Sequence, residues 1–286
     1  MVIKLTRYPA TQVNGLLTRD VWVWTPPTYH ARPGARFPVI YMHDGQNLFD
    51  PAKSYTHVTW GVAETITKLS GWGFIQPAIV VGIDNTENRF GDYLPNRPFE
   101  PPQGEAFLAG LTEEERKELE QVDFVADPYL ELIVEVIKPR VDQDFRTLPD
   151  AAHTFVMGSS MGGLISLYAL TEYPHVFGGA GCLSTAWPAM NGCMLPYLEE
   201  YLPLPGKHQF YYDLGTEGLD AEFGLDQGAV DALMQKKGYK HGRDWLTLCA
   251  PGADHHEQAW RSRLQRVLRF FLANLHTAET KDVNHF

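Results

Sequence analysis

One run of ten residues limits what this chain can fold into more than any other feature. It is Thr154-Phe-Val-Met-Gly-Ser-Ser-Met-Gly-Gly163, an apolar strand-like segment that runs into a turn. The helix-like Leu164-Ile-Ser-Leu-Tyr-Ala-Leu170 follows directly. The turn reads G-x-S-x-G, with Gly158 and Gly162 two residues either side of Ser160. A strand that reverses into a helix so abruptly brings the two backbones together, and glycine at both offsets removes Cβ atoms that would collide there. The serine is then held on a strained turn with its hydroxyl projecting into open space, the geometry of a nucleophile elbow. Ser159 does not qualify, because its offsets are Met157 and Met161. A glycine-rich turn of an unrelated fold would carry the motif without this context; strand, turn and helix together give it meaning.

The rest of the chain supplies the sheet that such an elbow needs. Strand-like runs lie at Val2–Leu5, Asp20–Thr25, Phe37–Met42, Pro77–Ile83, His153–Gly158, Gly178–Leu183, Gln209–Leu214 and Trp245–Cys249. Several are continuous apolar runs, as strands covered on both faces require. Helical patterns at Gly61–Leu69, Tyr129–Val141, Gly163–Glu172, Gln227–Lys237 and Gln258–Leu275 fall between most later strands. That alternation predicts a mostly parallel sheet of about eight strands with helices on both faces, while the early strands read as an antiparallel start. The expected fold class is α/β, an α/β-hydrolase core in one domain over residues 1–286. Asn96–Gln121 breaks the alternation with prolines followed by a charged stretch. It reads as a flap or lid-like insertion, with a solvated surface helix as the alternative.

Composition removes several classes of function. A net charge of −11 opposes binding to nucleic acid or to anionic membrane surfaces. No apolar run approaches the roughly 20 residues of a membrane span. The N-terminal residues lack the apolar core and cleavage site of a signal peptide. With three cysteines at no metal-ligand spacing, they point to a cytoplasmic protein with reduced thiols.

A serine hydroxyl needs a base, usually histidine, and the histidine needs a carboxylate to orient it. In this architecture the order is Ser, then acid, then His. After the last strand comes Ala250-Pro-Gly-Ala-Asp-His-His-Glu257, which offers His255 or His256. Spacing alone barely separates them. After the strand ending near Leu214 comes Gly215-Thr-Glu-Gly-Leu-Asp220, which offers Asp220 and, as the alternative acid, Glu217. Acyl transfer also needs donors for a developing oxyanion. These are the backbone N–H of Met161 and one from the loop His43-Asp-Gly-Gln-Asn47, where Gly45 lets the backbone come close and Gln46 is the expected donor. Asp44-Gly45 also reads as a plain tight turn. Metal-dependent hydrolysis through His255, His256 and Glu257 is the rival chemistry, but H-E-x-x-H is missing and adjacent loop histidines are a weak ligand signal.

Four segments in this order, Pro38–Asp50, Val80–Asn85 with Arg89, Gly158–Gly163, and Gly252–Glu257 with Trp260, resemble the "putative esterase" family of α/β-hydrolases. That family includes esterase D (S-formylglutathione hydrolase), enterochelin esterases, feruloyl and acetylxylan esterases and mycolyltransferases. The resemblance covers roughly residues 20–272. It implies Ser160 as nucleophile, His255 as base within a G-A-x-H-N-E-like motif in which His256 replaces asparagine, and Gln46 as oxyanion donor. It does not separate Asp220 from Glu217. Asn85 and Arg89 are candidates for substrate binding or for fixing their loop. Trp60, Tyr93 and Trp187 are candidates for lining an aromatic acyl pocket, although aromatics near a sheet usually belong to the core.

The expected activity is hydrolysis of a carboxylic ester by a Ser-His-acid triad through an acyl-enzyme, with no cofactor and no metal. The partner is a small-molecule or oligosaccharide ester: a sugar acetate, a feruloyl ester, a siderophore lactone or a thioester. Acyl transfer to an alcohol would use the same triad. A catalytically inactive binding protein on the same scaffold is the non-enzymatic alternative.

Overall fold

The continuous apolar runs of the sequence form the centre of the structure, a computed structural model that describes residues 5–8, 19–100, 102–190 and 192–273. Eight strands make one sheet: β1 (Leu5–Tyr8), β2 (Val21–Trp24), β3 (Val39–His43), β4 (Ile79–Ile83), β5 (Thr154–Ser159), β6 (Gly179–Leu183), β7 (Gln209–Gly215) and β8 (Trp245–Ala250). Their order across the sheet is β1-β2-β4-β3-β5-β6-β7-β8. Every pairing from β4 to β8 is parallel, and β2 runs antiparallel to both β1 and β4. The antiparallel start is therefore present. The expected strand at Val2–Leu5 lies outside the described residues except for Leu5, where β1 begins.

Side chains alternate across the sheet, so one strand feeds two cores. On β3, Val39 and Tyr41 join the cluster around Tyr129 and Tyr168, while Ile40 and Met42 join the cluster around Trp260 and Phe271. β3, β4, β5 and β6 are buried at every position, which is why they read as unbroken apolar runs. The elbow helix, Met161–Glu172, is buried over Met161–Thr171 and apolar all round, as a helix enclosed by its neighbours must be. The last helix, Glu257–Leu272, is amphipathic. Trp260, Leu264, Val267, Leu268 and Phe271 face inward, while Arg261, Ser262, Gln265 and Arg266 are exposed. Residues 274 and 275, where the sequence pattern would end this helix, lie outside the described residues.

The predicted helix at Tyr129–Val141 is the middle of a longer helical stretch over 126–144 that widens into a π-helical segment at Leu132–Ile137. Pro139 follows at once, and its missing N–H removes one regular helical hydrogen bond there. The 96–121 insertion forms a turn at Arg97–Phe99 and helices at Gln103–Gly110 and Glu113–Leu119. Arg97 pairs with Glu172 at 2.7 Å and stacks over Tyr201, and Phe99 packs against Phe107 and Phe124. The Arg97–Glu172 pair engages the elbow helix at its last turn, about 18 Å along the helix axis from Ser160 at 1.5 Å per residue.

Order and direction fix where a ligand can sit. The chain leaves β3 toward β4 on one side, and β5 then adds on the other side. The loops after β3 and β5 therefore diverge and open a crevice at the C-terminal edge of the sheet. They carry Asp44–Asn47 and Ser160 respectively.

Candidate active site

Ser160 joins β5 to the elbow helix with φ 57° and ψ −122°. Few non-glycine residues occupy that region, and strain of this kind clusters at functional sites. The backbone over-determines it. The Ser160 N–H donates to the Leu183 carbonyl at 2.9 Å, and the Ser160 carbonyl accepts from Gly163, Leu164 and Ala186. A Cβ on Gly158 would lie 2.8 Å from the carbonyl carbon and oxygen of Gly162, so no side chain fits there. The two motif glycines are not equivalent, contrary to the symmetry read from the sequence. A Cβ on Gly162 would meet nothing nearer than the Asp44 carboxylate at 3.4 Å, an ordinary contact. Met161 and Gly162 supply the first N–H groups of the helix, which a helix cannot satisfy internally, at the positive end of its dipole.

Two of the four acid and base candidates come together. His255 Nδ1 lies 2.6 Å from Asp220 Oδ1, and Asp220 is fully buried. Glu217 is exposed in the loop before it, with its N–H donating to the Ala253 carbonyl. His256 is exposed and caps the last helix, its Nδ1 accepting from the Ala259 N–H. Asp220 Oδ2 accepts from Ser184 Oγ and from the Gly215 N–H, both at 2.6 Å. Burial alone would raise the Asp220 carboxyl, but hydrogen bonds from His255, Ser184 and Gly215 outweigh it and hold the group below its ordinary value. The imidazole is framed edge-on by Phe223 and Trp260. Ser160 and Asp220 are anchored to the same strand end, one through the Leu183 carbonyl and the other through Ser184.

The loop after β3 is built around Asp44, a non-glycine residue at φ 55° and ψ 47° followed by the turn Gly45–Asn47. A Cβ on Gly45 would fall 2.6 Å from the backbone of Gly82 and Ile83. The glycine is thus required by contact with β4, where the sequence reading had it making room for substrate. Arg89 grips the Asp44 carboxylate with two nitrogens, each at 2.8 Å, and Asn85 Nδ2 adds a third bond at 2.7 Å. The Asn85 N–H donates to Gln46 Oε1 at 3.1 Å. Burial opposes the Asp44 charge, yet Arg89 and Asn85 hold its carboxyl below the usual range. Asn85 and Arg89 thus both bond to the Asp44 loop, as the structural alternative read from sequence requires, and the Arg89 side chain stays 34% exposed. Trp60, Tyr93 and Trp187 are buried in the core, and the Trp187 indole donates to Gln227.

With the site laid out, known proteins supply its class. A profile of the family described as "Putative esterase" matches residues 18–271. The chain belongs to this esterase family. It is a carboxylic-ester hydrolase. The Bacillus subtilis (strain 168) protein YbbA, described as uncharacterized, is 23% identical over 221 residues, which cover 77% of the esterase and 74% of YbbA. A ferulic acid esterase from Anaeromyces mucronatus aligns with TM-score 0.64 at 18% identity, covering 93% of the esterase and 90% of that chain. The enterobactin esterase of Shigella flexneri aligns with TM-score 0.66 at 19% identity over 95% of the esterase and 58% of that chain. At these identities the structural likeness is one of fold.

Sequence reading missed the polar layer under the Asp220 loop. Ser184, at φ 43°, donates to Asp220 and accepts from Trp260 Nε1 at 3.0 Å and Arg263 Nη2 at 2.7 Å. Arg263 Nη2 also lies 3.0 Å from Asp213 Oδ1 and 3.7 Å from Asp220 Oδ2. The esterase sequence does carry a signal for these residues. Asp213 interrupts the apolar run of β7, and Arg263 falls three residues after Trp260 on the buried stripe of an amphipathic helix. Among the described residues, no three His, Cys, Asp or Glu side chains converge as metal ligands, and no helix is long and apolar enough to cross a membrane.

Proposed function

We propose that this esterase cleaves its substrate through an acyl-enzyme, with Ser160 as nucleophile, His255 as general base and acid, and Asp220 as the orienting carboxylate. The observation that carries this reading is the 2.6 Å contact between His255 Nδ1 and the buried Asp220, in a chain whose strained elbow presents Ser160. Asp220 fixes the tautomer in which His255 Nδ1 holds a proton and Nε2 can take one. In the forward step His255 removes the Ser160 proton as Oγ attacks the ester carbonyl, then returns it to the leaving alcohol. Water attacks the acyl-enzyme by the same route and releases the acid. The Met161 and Gln46 N–H groups are assigned to the developing oxyanion. Support for Gln46 comes from its loop, which Arg89 and Asn85 fasten through Asp44.

The chemistry so assigned needs no cofactor. The substrate is assigned as a small-molecule or oligosaccharide ester, a reading favoured by the ferulic acid and enterobactin esterases of the same fold. In this reading the 96–121 insertion is a flap whose anchor is the Arg97–Glu172 pair.

The test is hydrolysis of p-nitrophenyl acetate, butyrate and octanoate alongside methyl ferulate, comparing wild type with Ser160→Ala. Turnover is expected to vanish in the variant with the fold intact, together with labelling by a fluorophosphonate. Undiminished turnover in Ser160→Ala would end the proposal.

A further inference from the structure

The triad acid sits on a second layer of charge. Three acceptors crowd one nitrogen, Arg263 Nη2, namely Ser184 Oγ, Asp213 Oδ1 and, farther off, Asp220 Oδ2. Among the described residues, the other guanidinium donors, Nε and Nη1, are buried without hydrogen-bond partners. Arg89, by contrast, engages Asp44 with two nitrogens of its planar fork. Arg263 spends its contacts on a single point directly behind the triad acid.

We propose that Asp213 and Arg263 are positioning residues that set the charge felt by the triad: Arg263 and Ser184 hold Asp220 Oδ2 in place, and Asp213 cancels the guanidinium charge that would otherwise draw Asp220 away from His255. This rests on the triad reading. The charges of Asp213, Asp220 and Arg263 sum to −1 while His255 is neutral, and to zero once it has taken the Ser160 proton. Charge balance thus arrives with the imidazolium, the state that must be stabilised in the transition state. In a dry site such balance counts for more than in water. Asp213, Arg263 and Ser184 are at most 3% exposed.

The other polar groups facing this layer are few. Tyr211 donates its hydroxyl to Asp213 Oδ2 at 3.0 Å, and the Cys182 thiol and Asp213 oppose each other's ionisation. Arg266, on the same helix, acts weakly on Tyr211. Trp260 donates its indole N–H to Ser184, and Asp254 accepts from the His255 backbone N–H. Burial pushes the Asp213 carboxyl up, while Arg263 and Tyr211 work to keep it ionised. The guanidinium and the carboxylate therefore depend on each other.

The experiment follows the acidic limb of kcat/KM against pH, which reports the base of the free enzyme, in four proteins. Asp213→Asn leaves Arg263 unbalanced beside Asp220; the limb is expected to move to lower pH, with kcat reduced about 10-fold. Arg263→Met leaves two carboxylates behind the imidazole, and the limb is expected to move to higher pH. The double variant Asp213→Asn/Arg263→Met removes both charges and is expected to return the limb to within about 0.3 pH units of wild type, with kcat above that of Asp213→Asn. Circular dichroism checks the fold of each, and if one single variant does not fold, the sign of the other's shift decides. Unmoved limbs, two shifts in the same direction, or a double variant displaced further than either single would overturn the proposal, since those are the marks of a merely structural pair. Activity that survives Ser160→Ala would instead sink the triad reading, whatever these variants do.

Discussion

Two aspartate–arginine pairs flank the catalytic crevice, and they are built differently. On the side of the loop after β3, Arg89 clasps both oxygens of Asp44 with two nitrogens at 2.8 Å, and its side chain remains 34% exposed. Behind the Asp220–His255 pair, Arg263 meets Asp213 and Ser184 through one nitrogen in a buried layer. The first geometry resists rotation and fixes a loop. The second tolerates rotation and mainly places a charge. If the charge-positioning proposal holds, the same two residue types do mechanical work on one flank and electrostatic work on the other.

Lysine tells the two apart most sharply, because it keeps the charge and loses the fork. Arg89→Lys should lower kcat/KM about 100-fold and Arg89→Met no more than a few-fold further, as expected when a loop shifts by an ångström. Arg263→Lys should hold kcat/KM within about 5-fold of wild type and leave its acidic limb in place. Steady-state kinetics on folded variants checks both. If both lysine variants behave alike, the distinction fails.

Acid should weaken both flanks. Asp44 and Asp220 are held below the ordinary 3.8, so their contribution to stability is complete above that pH and is lost as pH falls through their lowered values. Urea denaturation between pH 5 and pH 2.5 should show the loss below about pH 4, and Asp44→Asn should flatten part of it.

The smallest effect belongs to a carboxylate that makes no arginine ion pair among the described residues. Asp84, beside Gly45, accepts from Trp22 Nε1 through Oδ2, while Oδ1 is buried without a partner. Burial pushes it up to about 6. Its charged form therefore works against folding, with no cost below about pH 3.8 and the full cost above about pH 6. Asp84→Asn should stabilise the protein by on the order of 1 kcal/mol at pH 7 and by nothing measurable at pH 3.5. Thermal melts at the two pH values decide it.

Much of the fold was legible because its signals are local. The apolar runs of β3, β4 and β5 mark strands covered on both faces, and Gly158 with Ser160 marks the elbow, since chain direction and backbone clearance there depend on neighbours in sequence. The loops that carry Ser160, the acid candidates and the histidine candidates were legible too, in that order along the chain. Which acid and which histidine was not: Glu217 and Asp220 are three residues apart, and His255 and His256 are adjacent. Over such short spans, composition cannot tell a buried side chain from an exposed one.

By itself, then, the sequence determined the α/β architecture, the strained serine and the short loops from which its partners come, because strand burial and elbow geometry are written in residue periodicity and glycine placement. Only the tertiary structure decided that Asp220 meets His255, that Arg89 and Asn85 serve Asp44, and that Asp213 and Arg263 meet beneath the acid loop. Those contacts join residues 35, 45, 41 and 50 positions apart. Partners that distant are chosen by how the strands order themselves in the sheet, and no local pattern encodes that choice.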